Sequence, residues 1–242
     1  MLNQTCKFKR FLRKLLPERV VYFLKERRSK IKVLISNKSP KEIFTKIKQD
    51  NYWGCAESVS GGGSTLRQTQ SLVIELTKIL KEKQIKTFLD IPCGDFNWIQ
   101  KVDLSSIDYI GADIVDEIIE KNKEMYETNH IKFAVMDIIK DALPKSDIIF
   151  VRDCFIHLSY ENIFEAIENI KKSGSKYLLT TTFPNRTKNY DIATGETRLL
   201  NLQEKPFLFP APEKIIIENC QQDKDKSMGL WEIEKLRGKT ND

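Results

Sequence analysis

Leu89-Asp90-Ile91-Pro92-Cys93-Gly94-Asp95 ends a short apolar run that starts at Thr87, and the way this stretch is read decides the fold. A run this short, broken by a proline and a glycine, suits a buried strand entering a tight turn. The same alternation continues downstream. Residues 107–112 predict a second strand ending at Asp113, and residues 116–128 a charged helix. Residues 131–136 predict a third strand ending at Asp137, and residues 148–151 a fourth, followed by Arg152-Asp153. Residues 160–172 read as a helix and 177–182 as a fifth strand, while 215–218 and 231–234 supply two later strands around a turn region at 223–229. Upstream, Ser64 is placed to cap a helix whose Leu66, Val73, Leu76, Ile79 and Leu80 form an apolar stripe. Strands alternating with helices imply right-handed βαβ units. The expected architecture is therefore α/β: a mostly parallel, seven-stranded, Rossmann-like sheet with helices on both faces and its last two strands antiparallel.

In an open α/β sheet, ligands bind beyond the carboxyl ends of the strands. Here Asp90, Asp113, Asp137 and Asp153 fall at four successive strand ends. One such acid means little, because aspartate is common in turns and caps; four in a row point to a site. Gly94 supplies a turn without a Cβ, where backbone can approach a ligand. A dinucleotide site would want G-x-G-x-x-G. This loop has one glycine, with Pro92 where the first would stand, and Asp95 directly after Gly94 would repel a pyrophosphate. That disfavours an NAD-dependent reductase. A ligand carrying a cationic sulfonium and an ammonium suits the acidic loop better. Asp113, 23 residues beyond Asp90, is placed to accept two ribose hydroxyls.

At these residues the chain resembles a known family. Residues 89–95 resemble the first motif of class I S-adenosylmethionine (SAM)-dependent methyltransferases in a D-x-x-C-G-D form, with Pro92 departing from the more common glycine. Gly111-Ala112-Asp113-Ile114 is similar to the ribose-binding segment, Met136-Asp137-Ile138 to the pair that holds adenine, and residues 150–158 to the fourth motif, which borders the methyl group. The resemblance covers roughly residues 52–236. It implies cofactor contacts from Asp90, Pro92, Gly94, Asp113, Ile114, Asp137, Ile138 and Arg152, with SAM as cofactor and S-adenosylhomocysteine as product. Ser60-Gly61-Gly62-Gly63-Ser64-Thr65 and Leu178-Leu179-Thr180-Thr181-Thr182-Phe183 are similar to a bacterial branch associated with surface-polysaccharide biosynthesis, which implies a sugar-linked acceptor. The backbone amides at Ser60 and Gly61 could cradle a cofactor carboxylate; the same stretch also reads as a hinge or a lead-in to the following helix.

A hydroxyl acceptor needs a base, and histidine titrates near neutral pH. Of the two histidines, His130 precedes a strand far from the expected pocket, whereas His157 lies four residues after Asp153. His157 and Asp153 are the catalytic candidates, with a structural or substrate-orienting histidine as the competing reading; Asp153 could orient His157, contact the cofactor or act as base itself. The acceptor wall is expected at residues 183–186 and 189–191, with Arg186, Tyr190 and Arg198 binding a small acceptor. The two arginines suit a phosphate or carboxylate and equally suit exposed surface pairs. No metal is expected, because the aspartates already have cofactor roles. Trp53 reads either as a cover of the site or as core.

Charge divides the chain into an extension at 1–49 and a methyltransferase domain at 50–242. Residues 1–48 carry 15 Lys/Arg against three acids, a local charge of +12, and the remainder carries 25 against 31, or −6. Amphipathic helical spacing across residues 7–32 fits a helix packed on the body or on a second subunit, or contact with an anionic membrane face. The acidic body argues against a nucleic-acid partner. An RNA or protein methyltransferase using the extension, and a non-catalytic SAM-binding subunit, are the alternatives. Five scattered cysteines without a C-x-x-C pair fit a reducing compartment, and cytoplasm is the expected setting, with peripheral membrane contact at most.

Overall fold

The computed structural model describes residues 38–53, 55–220 and 223–236. The helices and membrane contact expected across residues 7–32 lie outside the described residues. Seven strands form one sheet: β1 (Thr87–Asp90), β2 (Asp108–Asp113), β3 (Ile131–Val135), β4 (Ile148–Val151), β5 (Tyr177–Thr182), β6 (Lys214–Ile217) and β7 (Ser227–Glu232). Their spatial order is β3-β2-β1-β4-β5-β7-β6. The first five are parallel, and β7 runs antiparallel to both β5 and β6. The chain reverses its direction of progress across the sheet between β1 and β4, so the carboxyl ends of these two strands flank the crevice that open α/β sheets use for ligands.

The pleat sorts neighbouring residues onto two cores, because successive side chains of a strand point to opposite faces. Phe88, Ile148, Phe150 and Leu179 pack on one face with α2 (Leu66–Glu82). Leu89, Ile149, Val151 and Leu178 pack on the other with α4 (Tyr160–Lys172). With helices on both faces, β4 and β5 are buried at every position, which is why they read as unbroken apolar runs rather than as alternating ones.

Helix α2 begins one residue later than expected. Thr65, not Ser64, is its N-cap and accepts the Gln68 amide at 3.4 Å, while Ser64 is buried and its Oγ lies 3.5 Å from Arg152 Nη1. Its apolar stripe also differs. Leu72, Leu76, Ile79 and Leu80 are buried, whereas Leu66 is 41% exposed. Burying four aliphatic side chains contributes roughly 6–12 kcal/mol before opposing terms, against about 1 kcal/mol for a cap. The stripe therefore decides where α2 lies.

The largest departure is β7. Residues 227–229 read as turn but belong to the strand, and Ile233–Lys235 forms a 3₁₀ turn instead of its end. Gly229 pairs with Thr180 of β5 and Ile215 of β6, and a Cβ there would stand 2.2 Å from the Trp231 ring. The glycine leaves room for the indole of Trp231, whose Nε1 donates to the Pro210 carbonyl at 2.8 Å. Residues 207–212 contribute Phe207 and Phe209 to the same core. Helix α1 (Pro40–Gln49) carries a capping box. Ser39 Oγ accepts the Glu42 amide at 3.3 Å, and Glu42 accepts the Ser39 amide at 2.7 Å. It lies on the body through Ile43, which stands against Gly195, and Phe44, which packs on the α4-side core. Lys41 pairs with Asp116 and Lys48 with Glu117, both at the start of α3 (Asp116–Tyr126). No helix of the described residues is long and apolar enough to cross a membrane.

Candidate functional site

A cleft opens at the carboxyl ends of β1, β2 and β4, lined by Asp90, Pro92, Gly94, Asp113, Ile114, Asp137, Ile138, Arg152, Asp153 and His157. The structure thus brings together most of the residues singled out from the sequence. Ser60 also lines the cleft. The loop after β1 is held on three sides: the Ile91 amide donates to Phe150, the Cys93 amide to Ala112, and Asn122 Nδ2 to the Gly94 carbonyl at 2.7 Å. Gly94 has φ +57°, and a Cβ on it would stand 2.1 Å from Ser60 Oγ. Any other residue there would displace the segment that closes over the loop.

Asp113 is buried at the tip of β2, where its oxygens accept the Gly94 amide at 3.2 Å and the Val115 amide at 3.0 Å. Burial pushes its carboxyl up to about 6, with the amides of Val115, Gly94 and Ile114 pulling the other way. Asp90 accepts the Tyr109 hydroxyl at 2.7 Å, and burial pushes it up to about 7, opposed by that hydrogen bond. Asp137 is half-buried and raised by the same cause, and its Oδ1 accepts the Ile139 amide at 2.9 Å. Asp95 behaves differently. It accepts Ser58 Oγ at 3.0 Å and the Val59 amide at 2.8 Å, and so ties the upstream loop to the β1 loop.

A folded carboxyl raised from 3.8 to about 7 holds its proton more tightly than the unfolded chain does. Asp90 therefore contributes stability that is complete below pH 4 and is lost as pH rises to 7. Asp90→Asn should cancel that loss. In urea unfolding without ligand, the variant should gain about 2–4 kcal/mol on wild type between pH 4.5 and 7.5. Parallel pH profiles for the two proteins would refute a protonated Asp90.

The glycine-rich loop has fewer free amides than its composition promises. The Ser60 amide donates to Ser58 Oγ at 3.2 Å, the Gly61 amide to the Ser58 carbonyl, and the Ser64 amide to the Gly61 carbonyl. A contribution of Ser60 to ligand binding thus falls to its hydroxyl. Arg152 is likewise engaged by the protein. Its Nε and Nη2 donate to Glu218 at 3.1 and 2.7 Å, Nη2 also to the Gly63 carbonyl at 2.8 Å, and Nη1 lies 3.4 Å from Asp153. Asp153 has φ +53°, its amide donates to Thr181 Oγ1 at 2.8 Å, and its Oδ2 meets Lys226 Nζ at 2.5 Å. Burial alone would raise the Asp153 carboxyl, but Lys226 and Arg152 outweigh it and hold the group well below the usual carboxylate range. A carboxylate so paired is a poor base.

His157 sits in a 3₁₀ turn, Phe155–His157. Its Nδ1 is 3.0 Å from the Glu196 carbonyl and 3.1 Å from Thr197 Oγ1, and its ring centroid is 5.2 Å from that of Trp53. The carbonyl, not Asp153, orients the ring. Because a carbonyl only accepts, Nδ1 carries the proton in the neutral ring and Nε2 keeps its lone pair. Burial lowers the imidazole below its ordinary value, opposed by the Glu196 carbonyl and Asp153. Trp53 lines the cleft with Pro40, Phe44 and Lys48 of α1. Its Nε1 is buried with no hydrogen-bond partner among the described residues.

The residues expected to bind the acceptor are scattered. Arg186 is exposed, Tyr190 half-buried and Arg198 buried, and none of the three lines the cleft. Arg198 Nη1 donates to the Leu158 carbonyl at 2.6 Å beneath the Tyr160 ring, while its Nε and Nη2 have no hydrogen-bond partner among the described residues. Asn189 and Asn201 staple this wall, with Asn189 Nδ2 donating to the Asn201 carbonyl at 2.7 Å and Asn201 Nδ2 to the Arg186 carbonyl at 2.8 Å. Sequence reasoning missed Glu218, Lys226, Tyr109 and Asn122. Each is one residue in an unremarkable local pattern, and only the fold carries it to the site. Among the described residues, no group of three or more His, Cys, Asp or Glu could hold a metal ion.

No protein-family model matches the sequence, and no curated protein matches it. Solved structures do. Human N-acetylserotonin methyltransferase in complex with SAM superposes with a TM-score of 0.55 at 13% identity, over 84% of this chain and 61% of that one. Magnesium protoporphyrin IX methyltransferase from Synechocystis PCC 6803 with bound SAM superposes with a TM-score of 0.50 at 15% identity, over 64% of this chain and 82% of that one. The chain thus spans about three fifths of the length of the human enzyme. The fold is the Rossmann-like fold of class I SAM-dependent methyltransferases.

Proposed function

We propose that this chain is a SAM-dependent methyltransferase that methylates an oxygen of a small carbohydrate or phosphorylated metabolite in bacterial surface-polysaccharide biosynthesis. The observation that carries the reading is the placement of buried acids and a neutral-leaning histidine around one cleft at the β1/β4 crevice. Asp113 would accept the ribose hydroxyls, Ile114, Asp137 and Ile138 would hold the adenine, and the acidic loop at Asp90 would face the positive end of the cofactor. The fit is electrostatic and steric: Asp90, Asp113 and Asp137 line the cleft, Asp153 being taken by Lys226 and Arg152, and Gly94 leaves the room that Ser60 occupies. Bound SAM supplies an electrophilic methyl group. The protein aligns the acceptor, which for an in-line displacement provides much of the acceleration.

His157 accepts the hydroxyl proton of the acceptor at Nε2 as that oxygen reacts, with Nδ1 anchored on Glu196. Trp53 beside it offers an aromatic face of the kind that packs against sugar rings. Similarity of residues 60–65 and 178–183 to a polysaccharide-associated branch supports the sugar-linked acceptor. Arg198 has guanidinium nitrogens to spare for a phosphate or carboxylate, but like Arg186 and Tyr190 it lies outside the cleft. The acidic lining disfavours a polyanionic substrate such as RNA.

Calorimetry with S-adenosylhomocysteine tests the class: wild-type protein should bind it, and no binding would end the methyltransferase reading. A screen of sugar nucleotides and phosphorylated metabolites with labelled cofactor tests the acceptor class. Label transferred to RNA or protein and to none of these compounds would overturn it.

A further inference from the structure

Arg152, Asp153, Glu218 and Lys226 form a buried four-charge cluster below the cleft, and the last two have no part in the reaction proposed above. The Lys226 side chain is 8% exposed and that of Glu218 is 0% exposed. Lys226 Nζ lies 2.5 Å from Asp153 Oδ2 and 3.5 Å from Glu218 Oε2, while Arg152 bridges Glu218 and Asp153 from the other side. Burying a lysine is costly unless it is paired, and an apolar residue in place of a buried ion pair is often as stable or more so. Stability is therefore a weak reason to keep an ammonium here.

His157 gives a better one. Asp153, at the end of β4, lines the same cleft as His157 and carries Lys226, from just before β7, on its carboxylate. The Glu196 carbonyl and Thr197 hydroxyl meet Nδ1, the Trp53 ring stands beside the imidazole, and Arg198 donates to the carbonyl of the next residue, Leu158. Asp153 favours the charged ring, whereas Arg198 and Lys226 oppose it. A carboxylate left uncompensated beside an imidazole pulls a proton onto it, and a protonated ring has no lone pair to accept another.

We propose that Lys226 is a positioning residue for His157: by pairing with Asp153 it offsets a negative charge that would hold the imidazole protonated, and so keeps Nε2 free to accept a proton. Glu218 sets the strength of this effect by sharing the ammonium. The purpose of the device rests on the base role proposed for His157; the charge effect itself does not.

The chain contains two histidines, which makes the effect directly readable. In the full-length protein without cofactor or acceptor, both rings are followed by NMR across pH 4 to 9. His130, exposed and paired with Asp108 at 3.0 Å, serves as internal reference. Lys226→Met should move the His157 midpoint up by about one unit and leave His130 in place. Lys226→Arg, which keeps the charge, should leave both where they are, and Glu218→Gln should move His157 down. An unmoved His157 in Lys226→Met, or an equal shift in Lys226→Arg, overturns the proposal. If Lys226→Met fails to fold, Glu218→Gln decides, and no downward shift overturns it. His157→Ala turnover tests the base role separately. Turnover preserved there, with the Lys226→Met shift present, removes the base role and leaves the charge effect standing.

Discussion

Replacing Asp113 with alanine is expected to weaken S-adenosylhomocysteine binding about 100-fold at pH 7.5. Its carboxyl titrates at about 6, so at that pH it is ionised and can accept the ribose hydroxyls in the proposed binding mode. A hydrogen bond to a charged group contributes about 1.5–3 kcal/mol, and 2.7 kcal/mol corresponds to 100-fold in Kd. Alanine also takes the acceptor from the Gly94 and Val115 amides, which loosens the loop at the floor of the cleft. Asp113→Asn keeps one oxygen and should cost about tenfold. The wild-type protein should bind progressively less tightly as pH falls through 6, because protonation removes the charge. Calorimetry reads all three effects. A Kd for the alanine variant within threefold of wild type would remove Asp113 from the cofactor site.

His157→Ala should abolish most turnover, by about 10²- to 10⁴-fold, the range general-base catalysis supplies. Its affinity for S-adenosylhomocysteine should stay within about twofold of wild type, because in the proposed mode the ring contacts the acceptor and not the cofactor. The pH dependence has a definite sign. Burial lowers the imidazole, so the neutral, competent form already dominates at neutral pH. The wild-type rate should therefore be flat from neutral pH upward and fall only at acid pH, as the ring protonates. Assays use the acceptor found in the labelled-cofactor screen. Turnover retained in the alanine variant, or an acid limb that survives in it at saturating cofactor, would sink the base assignment.

Elements buried on both sides were legible almost to the residue. Ile148–Val151 and Tyr177–Thr182 have the bounds their apolar patterns predict, because two-sided burial leaves little freedom in where an apolar run starts or stops. Errors gathered where a local signal competed with a distant one. Ser64 is a good N-cap by type, but Thr65 takes that place while Ser64 lies beside Arg152, 88 residues away in sequence. Gly229 is a good turn residue by type, yet the Trp231 ring beside it and the ladders to β5 and β6 place it inside a strand. In both cases a contact outweighs a propensity worth about a kilocalorie.

The sequence by itself determined the class of fold and the ring of acids. Strand ends are local features, and Asp90, Asp113, Asp137 and Asp153 follow their strands wherever the strands go. The tertiary structure decided which acids the protein itself engages. Asp95 is taken by the Ser58–Val59 backbone and hydroxyl, and Asp153 by Lys226 and Arg152. It also decided that a backbone carbonyl at Glu196 orients His157, and that Glu218 and Lys226 lie beneath the site. Those partners are 39 and more residues away along the chain. No periodicity or spacing encodes such a meeting, because it depends on how the later strands and loops pack back against β4.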